Sequence, residues 1–439
     1  MKIKISYIAK VNDIEFALEG LTVIAGRNAT GKSTISRVLM TYFTLLRRME
    51  IHIRHARMNS IGKVIGEMLS PNGVYRWRTG NWWRFIDDGD DALSGDFWNN
   101  SEKVSKLIMN LSRRDSRHFH VFDEAEVLTH NNSVIPEEKL RQLRESVLKT
   151  ISTKDDEYEE FIYRTMFNKV FSGQVNSLSH PDKPATITIK DSDGDCVISL
   201  PRNGSVVLPQ RHISAFRMVS YLGPTHMLDV IDADAQGKDV EDLMDSYDSG
   251  DGAWSKILVA KWYDSQLSFE DDRDVRKALS VLERIGNILH GKLVDANEDI
   301  KFKEDGYDTP IELKNLASGV KSIGMVIKAI ENGSLRGQDL FIIDEPESNL
   351  HPEWQVRFAE LLVLLQKELG ITVLINTHSP YFLKAIERFS KKYEVFECAH
   401  YYFMEEKEHG AGAFGREITS DLSVAYETLY RPLAGLMEA

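Results

Sequence analysis

Gly26-Arg27-Asn28-Ala29-Thr30-Gly31-Lys32-Ser33-Thr34 follows the apolar run LTVIAG and opens a helical stretch that runs from Lys32 to about Leu69. The spacing G-x-x-x-x-G-K-[ST], set between a strand and a helix, is that of a phosphate-binding loop. Its glycines permit a tight turn whose N–H groups converge on phosphate oxygens, where the helix start adds positive potential. Lys32 supplies a mobile cation to β- and γ-phosphates. Ser33 offers a hydroxyl oxygen to Mg²⁺, a cation that prefers oxygen ligands.

The acidic counterpart lies far away, in LFIIDEPESNLHP. There an apolar strand ends on Asp344-Glu345, two carboxylates at the carboxyl tip where α/β sheets bind ligands. Asp344 is expected to hold Mg²⁺, directly or through water, and Glu345 to polarise the attacking water as general base. One strand later, ITVLINTHSP places His378 at the end of another buried run, in reach of a γ-phosphate and that water. Most of the chain separates the loop from the acids. A nucleotide domain must therefore be assembled from both chain ends, with the middle inserted as a lobe.

The rest of the pattern agrees with an α/β head carrying a mainly helical inserted lobe and a small β-hairpin region. KIKISYI and DIEFALE alternate as strands. Turn and loop signals fill residues 70–100, and helical periodicity covers Ser101–Arg114, Glu137–Phe171, Lys238–Ser249 and Asp274–Leu293. TITIK and CVISL flank DSDGD as a hairpin. After His378 come a helix, the strand-like EVFECAHYYFM, a short strand and a helix over Ser423–Glu438. The expected division is 1–45 and 311–400 for the head, 46–175 for the helical insertion, 176–310 for a hairpin and helical connection, and 401–439 for a tail.

Composition narrows the classes. Of 439 residues, 42% are hydrophobic and 28% charged, as in ordinary globular proteins. No run approaches the ~18 apolar residues of a membrane span, so no membrane association is expected. The start MKIKISYIAKVND lacks the apolar core and cleavage site of a signal peptide. With only Cys196 and Cys398, far apart in sequence, neither a disulfide scaffold nor a cysteine metal site is expected, a reducing cytoplasm is, and each cysteine is read as a small buried hydrophobe. The net charge of −13 argues against a surface coated for DNA binding. The densest basic group, Arg47, Arg48, Arg54 and Arg57 with His52 and His55, is expected to be a solvated helix face.

Together the loop, the acids and His378 resemble the ABC/SMC ATPase superfamily, and Asn28 fits its SMC, RecF and OLD-like branch. The resemblance identifies Leu316-Ala317-Ser318-Gly319-Val320-Lys321 as the signature segment, a departure from LSGGQ. It implies that Ser318 and Gly319 reach the γ-phosphate held by another subunit, so that sites form in a homodimer or higher homo-oligomer. Ser348-Asn349-Leu350-His351-Pro352 then stands as the D-loop at that interface. No glutamine settles as the Q-loop residue; Gln174 and Gln210 are candidates. The run from HPEWQ to SKKY, with YLGPTHMLDVID, further resembles ATPases of bacterial antiphage defence operons, first the PtuA ATPases of Septu and retron systems, then AriA of PARIS. That implies an ATP-binding sensor and scaffold controlling a separate nuclease of HNH or TOPRIM type, with a nucleic-acid or phage-encoded trigger. The alternative is a RecF/SMC-type ATPase of DNA repair or recombination.

Other groupings do not add a second chemistry. Asp191, Asp193 and Asp195 imitate a calcium loop, but Cys196 and Arg202 stand where glycine and glutamate belong. Arg117-His118-Phe119-His120 with Asp123 and Glu124 reads as a short strand, metal or nuclease chemistry being the lesser alternative. Trp77, Trp82, Trp83, Phe85 and Trp98, with nearby arginines, suit a local core, a protein interface or base stacking.

Overall fold

The computed structural model describes residues 1–69, 93–100, 103–104, 107, 137–210, 213, 215–217, 219–223, 273–286, 289–296, 299–312, 315–331, 335, 337–406, 408 and 410–437. The expected helices at Ser101–Arg114 and Lys238–Ser249, and the His118–Glu124 grouping, lie wholly or mostly outside these residues. The chain forms two compact units, Met1–Arg47 with Arg164–Ala439, and Arg48–Tyr163.

The larger unit is built on a ten-stranded sheet. Its strands are β1 (Lys2–Ile8), β2 (Val11–Ala17), β3 (Leu21–Gly26), β4 (Ala185–Asp191), β5 (Gly194–Leu200), β6 (Val219–Leu222), β10 (Leu340–Asp344), β11 (Thr372–Thr377), β12 (Ala399–Glu406) and β13 (Ala413–Glu417), in the order β5-β4-β1-β2-β13-β12-β3-β11-β10-β6. From β12 to β6 all neighbours run parallel. From β5 to β2 they run antiparallel. The two parts meet where β13, antiparallel to β12, lies parallel to β2.

Sequence explains the contrast. LTVIAG in β3 and LFIID in β10 are buried at every position, as strands covered on both faces must be. In β4, ATITIKD alternates buried and partly exposed residues, the pattern of a strand with one wet face. The helices that accompany the parallel strands in sequence are α1 (Lys32–Leu69), which leaves β3, α6 (Ser318–Glu331), α7 (Pro352–Leu369) and α8 (Pro380–Lys392), with α9 (Ser423–Met437) after the last strand. Leu21, Val23, Phe341, Ile343, Val373, Ile375, Tyr401 and Phe403 pack from one sheet face into a core with the apolar sides of α6, α7 and α8. Each fully buried aliphatic chain there contributes roughly 1.5–3 kcal/mol. Because strand residues alternate, Asp344 and its register partner Asn376 face the opposite side, toward the start of α1.

Local signals set the helix ends. His351 caps α7 through its ring, Pro352 occupies the first turn, and Gly370 closes the helix at φ 68°. Ser379 caps α8 by accepting from Phe382 N–H, again with proline next. The helix expected over Asp274–Leu293 is shorter: α5 covers Arg273–Ile285 and stops at Gly286, whose φ of 72° suits a glycine terminator. Gly291–Ala296 is instead β7, which pairs antiparallel with β8 (Asp299–Glu304), and β8 with β9 (Ile311–Glu312). Helical periodicity over Glu137–Phe171 resolves into α3 (Glu137–Ser152) and α4 (Asp155–Val170).

The smaller unit has a core of its own, in which Met58, Ile61 and Ile65 meet Phe97, Trp98, Leu143 and Val147. Trp98, on the short helix α2 (Gly95–Asn99), is fully buried, so it belongs to a local core; its aromatic companions lie outside the described residues. Arg57 departs from the expected solvated face. It bonds Asp155 at 2.7 Å and the Thr153 carbonyl at 2.8 Å, and lies over the Tyr158 ring. Cys398 is also corrected. Cys196 is buried, but Cys398 is exposed, because it ends the turn leading into β12 on the sheet's rim.

Candidate nucleotide site

β3 delivers the phosphate loop and α1 receives it. Gly26 has no room for a side chain, since a Cβ would lie 2.6 Å from the Met404 carbonyl. Gly31 adopts φ 87° against Val11, and Ala29 takes a positive φ as well. Thr30 ties the loop by donating to the Arg27 carbonyl at 2.8 Å. Arg27, Asn28 and Ala29 are exposed, while Ser33 and Thr34 are partly buried. Lys32 is buried and donates to the carbonyls of Gly26 and Arg27, at 2.8 and 2.7 Å. Burial pushes its ammonium below the usual lysine range, opposed by Glu345, Glu347 and Asp344 in that order.

Asp344 ends β10 with a wholly buried carboxylate. Ser36 Oγ donates to Oδ1 at 2.6 Å, Tyr221 Oη to Oδ2 at 3.0 Å, and Asn376 Nδ2 also to Oδ1. Burial raises its proton affinity, against hydrogen bonds from Ser36, Asn376, Tyr221 and Ser33. Asn376 in turn donates to the Lys32 carbonyl at 2.8 Å, fastening the loop's helix to the acidic strand. Tyr221 stands on β6, beside β10.

Glu345 follows at φ 49°, a left-handed conformation unusual for glutamate and typical of strained functional turns. Its Oε1 lies 3.5 Å from His378 Nδ1. Glu347 is closer still, with Oε1 at 3.3 Å from the same nitrogen. The buried Glu347 Oε1 also accepts from Thr377 Oγ1, His378 N–H and Ser379 N–H at 2.7, 2.8 and 3.0 Å. Gln355 links the same turns, accepting from Ser379 Oγ at 3.2 Å and donating to the Leu350 carbonyl at 3.1 Å.

Thus the loop, Asp344, Glu345 and His378 come together. Gly319, next to Ser318 at the start of α6, has a different place. Its nearest neighbours are Leu350 and Asn349, in the turn after β10, and a Cβ there would lie 2.7 Å from the Asn349 carbonyl. His351, read as part of a D-loop, is also the cap of α7. Gln174 and Gln210 are exposed.

Sequence reasoning did not assign Ser36, Tyr221, Asn376, Glu347, Thr377 or Gln355. Ser36 could have been found one helical turn beyond Ser33, and Asn376 from strand alternation. Tyr221 could not, because nothing local says that β6 pairs with β10.

The donor set fits Mg²⁺. Three carboxylates, Asp344, Glu345 and Glu347, surround one lysine, and such a negative excess suits a divalent cation arriving with a polyphosphate. Among the described residues no group of three or more His, Cys, Asp or Glu could hold a metal unaided. A Mg²⁺ that takes most of its oxygens from phosphate and water needs no such group.

A putative ABC transporter ATP-binding protein of Methanosarcina acetivorans is 40% identical over 52 residues, 11% of this chain, and the chain spans 16% of that relative's length. Among solved structures, an SMC head bound to the C-winged helix domain of ScpA matches 96% of this chain and 98% of its own, at 10% identity and TM-score 0.41. The SMC head domain of Thermotoga maritima matches 95% and 98%, also at 10% identity, with TM-score 0.36. The family described as "AAA domain, putative AbiEii toxin, Type IV TA system" matches residues 75–384, a span that contains Asp344, Glu345 and His378 and leaves the phosphate loop outside. That span is well over half of the sequence, and the chain belongs to this AAA-domain family.

Proposed function

We propose that this chain binds ATP with Mg²⁺ and hydrolyses it at an ABC-type site made of the loop Gly26–Thr34, Asp344, Glu345 and His378. The observation that carries the reading is Asp344, held by Ser36 and Asn376 while Asn376 also bonds the Lys32 carbonyl. One buried network thereby ties an acidic strand tip to a phosphate loop.

In this reading the loop N–H groups of Arg27 through Thr34 cradle the phosphates, and Lys32 exchanges its two carbonyl partners for phosphate oxygens. Ser33 and Asp344 would hold Mg²⁺, which would supply positive charge against the phosphates. Glu345 takes a proton from water as its oxygen bonds the γ-phosphorus and the bond to the β-γ bridging oxygen breaks. His378 contacts the γ-phosphoryl group. Ser318 and Gly319 of a second copy complete the site, so that the working unit is a homodimer or larger homo-oligomer.

The biological role proposed is that of an ATPase, sensor and scaffold in a cytoplasmic bacterial antiphage complex, controlling a separate HNH- or TOPRIM-type nuclease. Support comes from the resemblance to PtuA-type ATPases. The family's description as a putative toxin of a toxin–antitoxin system also agrees with a chain that works beside a second component. No helix among the described residues is long and apolar enough to cross a membrane.

Glu345→Gln tests the chemistry. It should keep ATP binding, lower turnover by ~10²-fold or more and accumulate ATP-bound dimers, the scale of lost general-base catalysis. Turnover equal to wild type would remove Glu345 from the role.

A further inference from the structure

Three buried polar atoms of the site lack hydrogen bonds, Asn376 Oδ1, Glu347 Oε2 and His378 Nδ1, and the last two belong to residues in contact. Glu347 Oε2 has no partner, although Oε1 of the same carboxylate accepts three. His378 Nδ1 is also buried without an aligned bond, with Glu347 Oε1 at 3.3 Å and Glu345 Oε1 at 3.5 Å. An unmade bond at a buried donor or acceptor costs the full desolvation of that group, so a fold rarely keeps two on neighbouring residues without a use.

A carboxylate accepts and cannot donate, so the ring nitrogen facing it is satisfied only when it carries the proton. We propose that Glu347 is a positioning residue that fixes His378 as the Nδ1–H tautomer by accepting that proton's hydrogen bond. A small ring rotation aligns the pair, and Nε2 is then the nitrogen left for chemistry. The same carboxylate holds the backbone N–H groups of His378 and Ser379, so ring and main chain are fixed from one anchor. Glu345, at the longer distance, more exposed and bonded by Ser348 Oγ through its other oxygen, is the carboxylate within reach of water. The proposal rests on the ATPase reading only for the use made of Nε2, since the tautomer itself is a property of the nucleotide-free chain.

The experiment is a two-bond ¹H–¹⁵N spectrum of the full chain labelled at histidine, with His378 assigned from its loss in His378→Asn. The expected result is an Nδ1–H ring in wild type and in Glu345→Gln, with a shift toward the Nε2–H form in Glu347→Gln. Turnover of Glu347→Gln should fall by up to ~10²-fold in kcat with KM for ATP little changed, the scale of misplacing a reacting group by about 1 Å. An Nε2–H ring in wild type, or the same ring state in wild type and Glu347→Gln, overturns the proposal. Should Glu347→Gln not fold, the wild-type tautomer decides alone. A ring that responds in a chain without ATPase activity would sink the proposed function and leave this inference standing; the converse sinks only the inference.

Discussion

The two halves of the large sheet differ in strand direction and in what gathers at their ends. In the parallel half, β3, β10 and β11 all finish at one edge, so the residues that follow them, Gly26–Thr34, Glu345–Leu350 and His378–Ser379, converge. In the antiparallel half, β4 and β5 run in opposite directions and successive turns leave at opposite edges. The Ser192–Asp193 turn between them carries three nearby aspartates, yet it closes as a hairpin with Asp191 opposite Gly194. Shared strand direction, more than the supply of acidic residues, decides where charge can accumulate.

This contrast can be broken most sharply at the loop. Lys32→Ala and Ser318→Arg should each abolish turnover, whereas equal mixing should restore about a quarter of it, the share expected when mixed dimers hold one intact site of two. Verified subunit exchange without recovery would place Ser318 outside a shared site, or make the two sites fire only together.

In the antiparallel half the expected sign is the reverse. Ile187→Ala removes a buried side chain whose register partner is the buried Ile198, and should cost ~2–5 kcal/mol in chemical denaturation. Its kcat, measured well below the melting transition, should match wild type. A loss of kcat without a loss of stability would show that the two halves are coupled.

A smaller effect is expected behind the site, at Glu387 on α8. Lys384, Lys391 and Tyr426 donate to it, and they hold its carboxyl at about 2 despite opposing burial. A folded-state value below the ordinary one contributes stability above the ordinary glutamate range, which is lost as pH falls toward about 2. Glu387→Gln should therefore lower the melting temperature slightly at pH 7, and the gap should close in melts taken at successively lower pH. A gap that persists there would show that packing, not charge, is what Glu387 contributes.

Much of the parallel half was legible because its signals are local. A glycine-rich turn before Lys32, acids after an apolar run, and proline after His351 and Ser379 each declare themselves within a few residues. What escaped was set by pairing across long distances. Tyr221 reaches Asp344 only because β6 lies beside β10, and VSYL says nothing of that neighbour. Glu347 was visible in the acidic motif, but its importance depends on the turn at Thr377–Ser379 folding over it. Cys398 was misjudged because residue type alone does not reveal which end of a strand meets solvent.

The placement of β12 and β13 has a consequence for synthesis. β2 and β3 are neighbours in sequence but not in space, because the two late strands lie between them. A nascent chain leaving the ribosome can pair β1 with β2 early, but the phosphate loop at the end of β3 has no neighbour on either side until β11 and β12 emerge. Such high contact order favours slow closure and a long-lived, unpaired strand edge. The end of β3 accordingly gains both strand neighbours only after residues 372–406 have been translated, and it is during that interval that a chaperone would have most to protect.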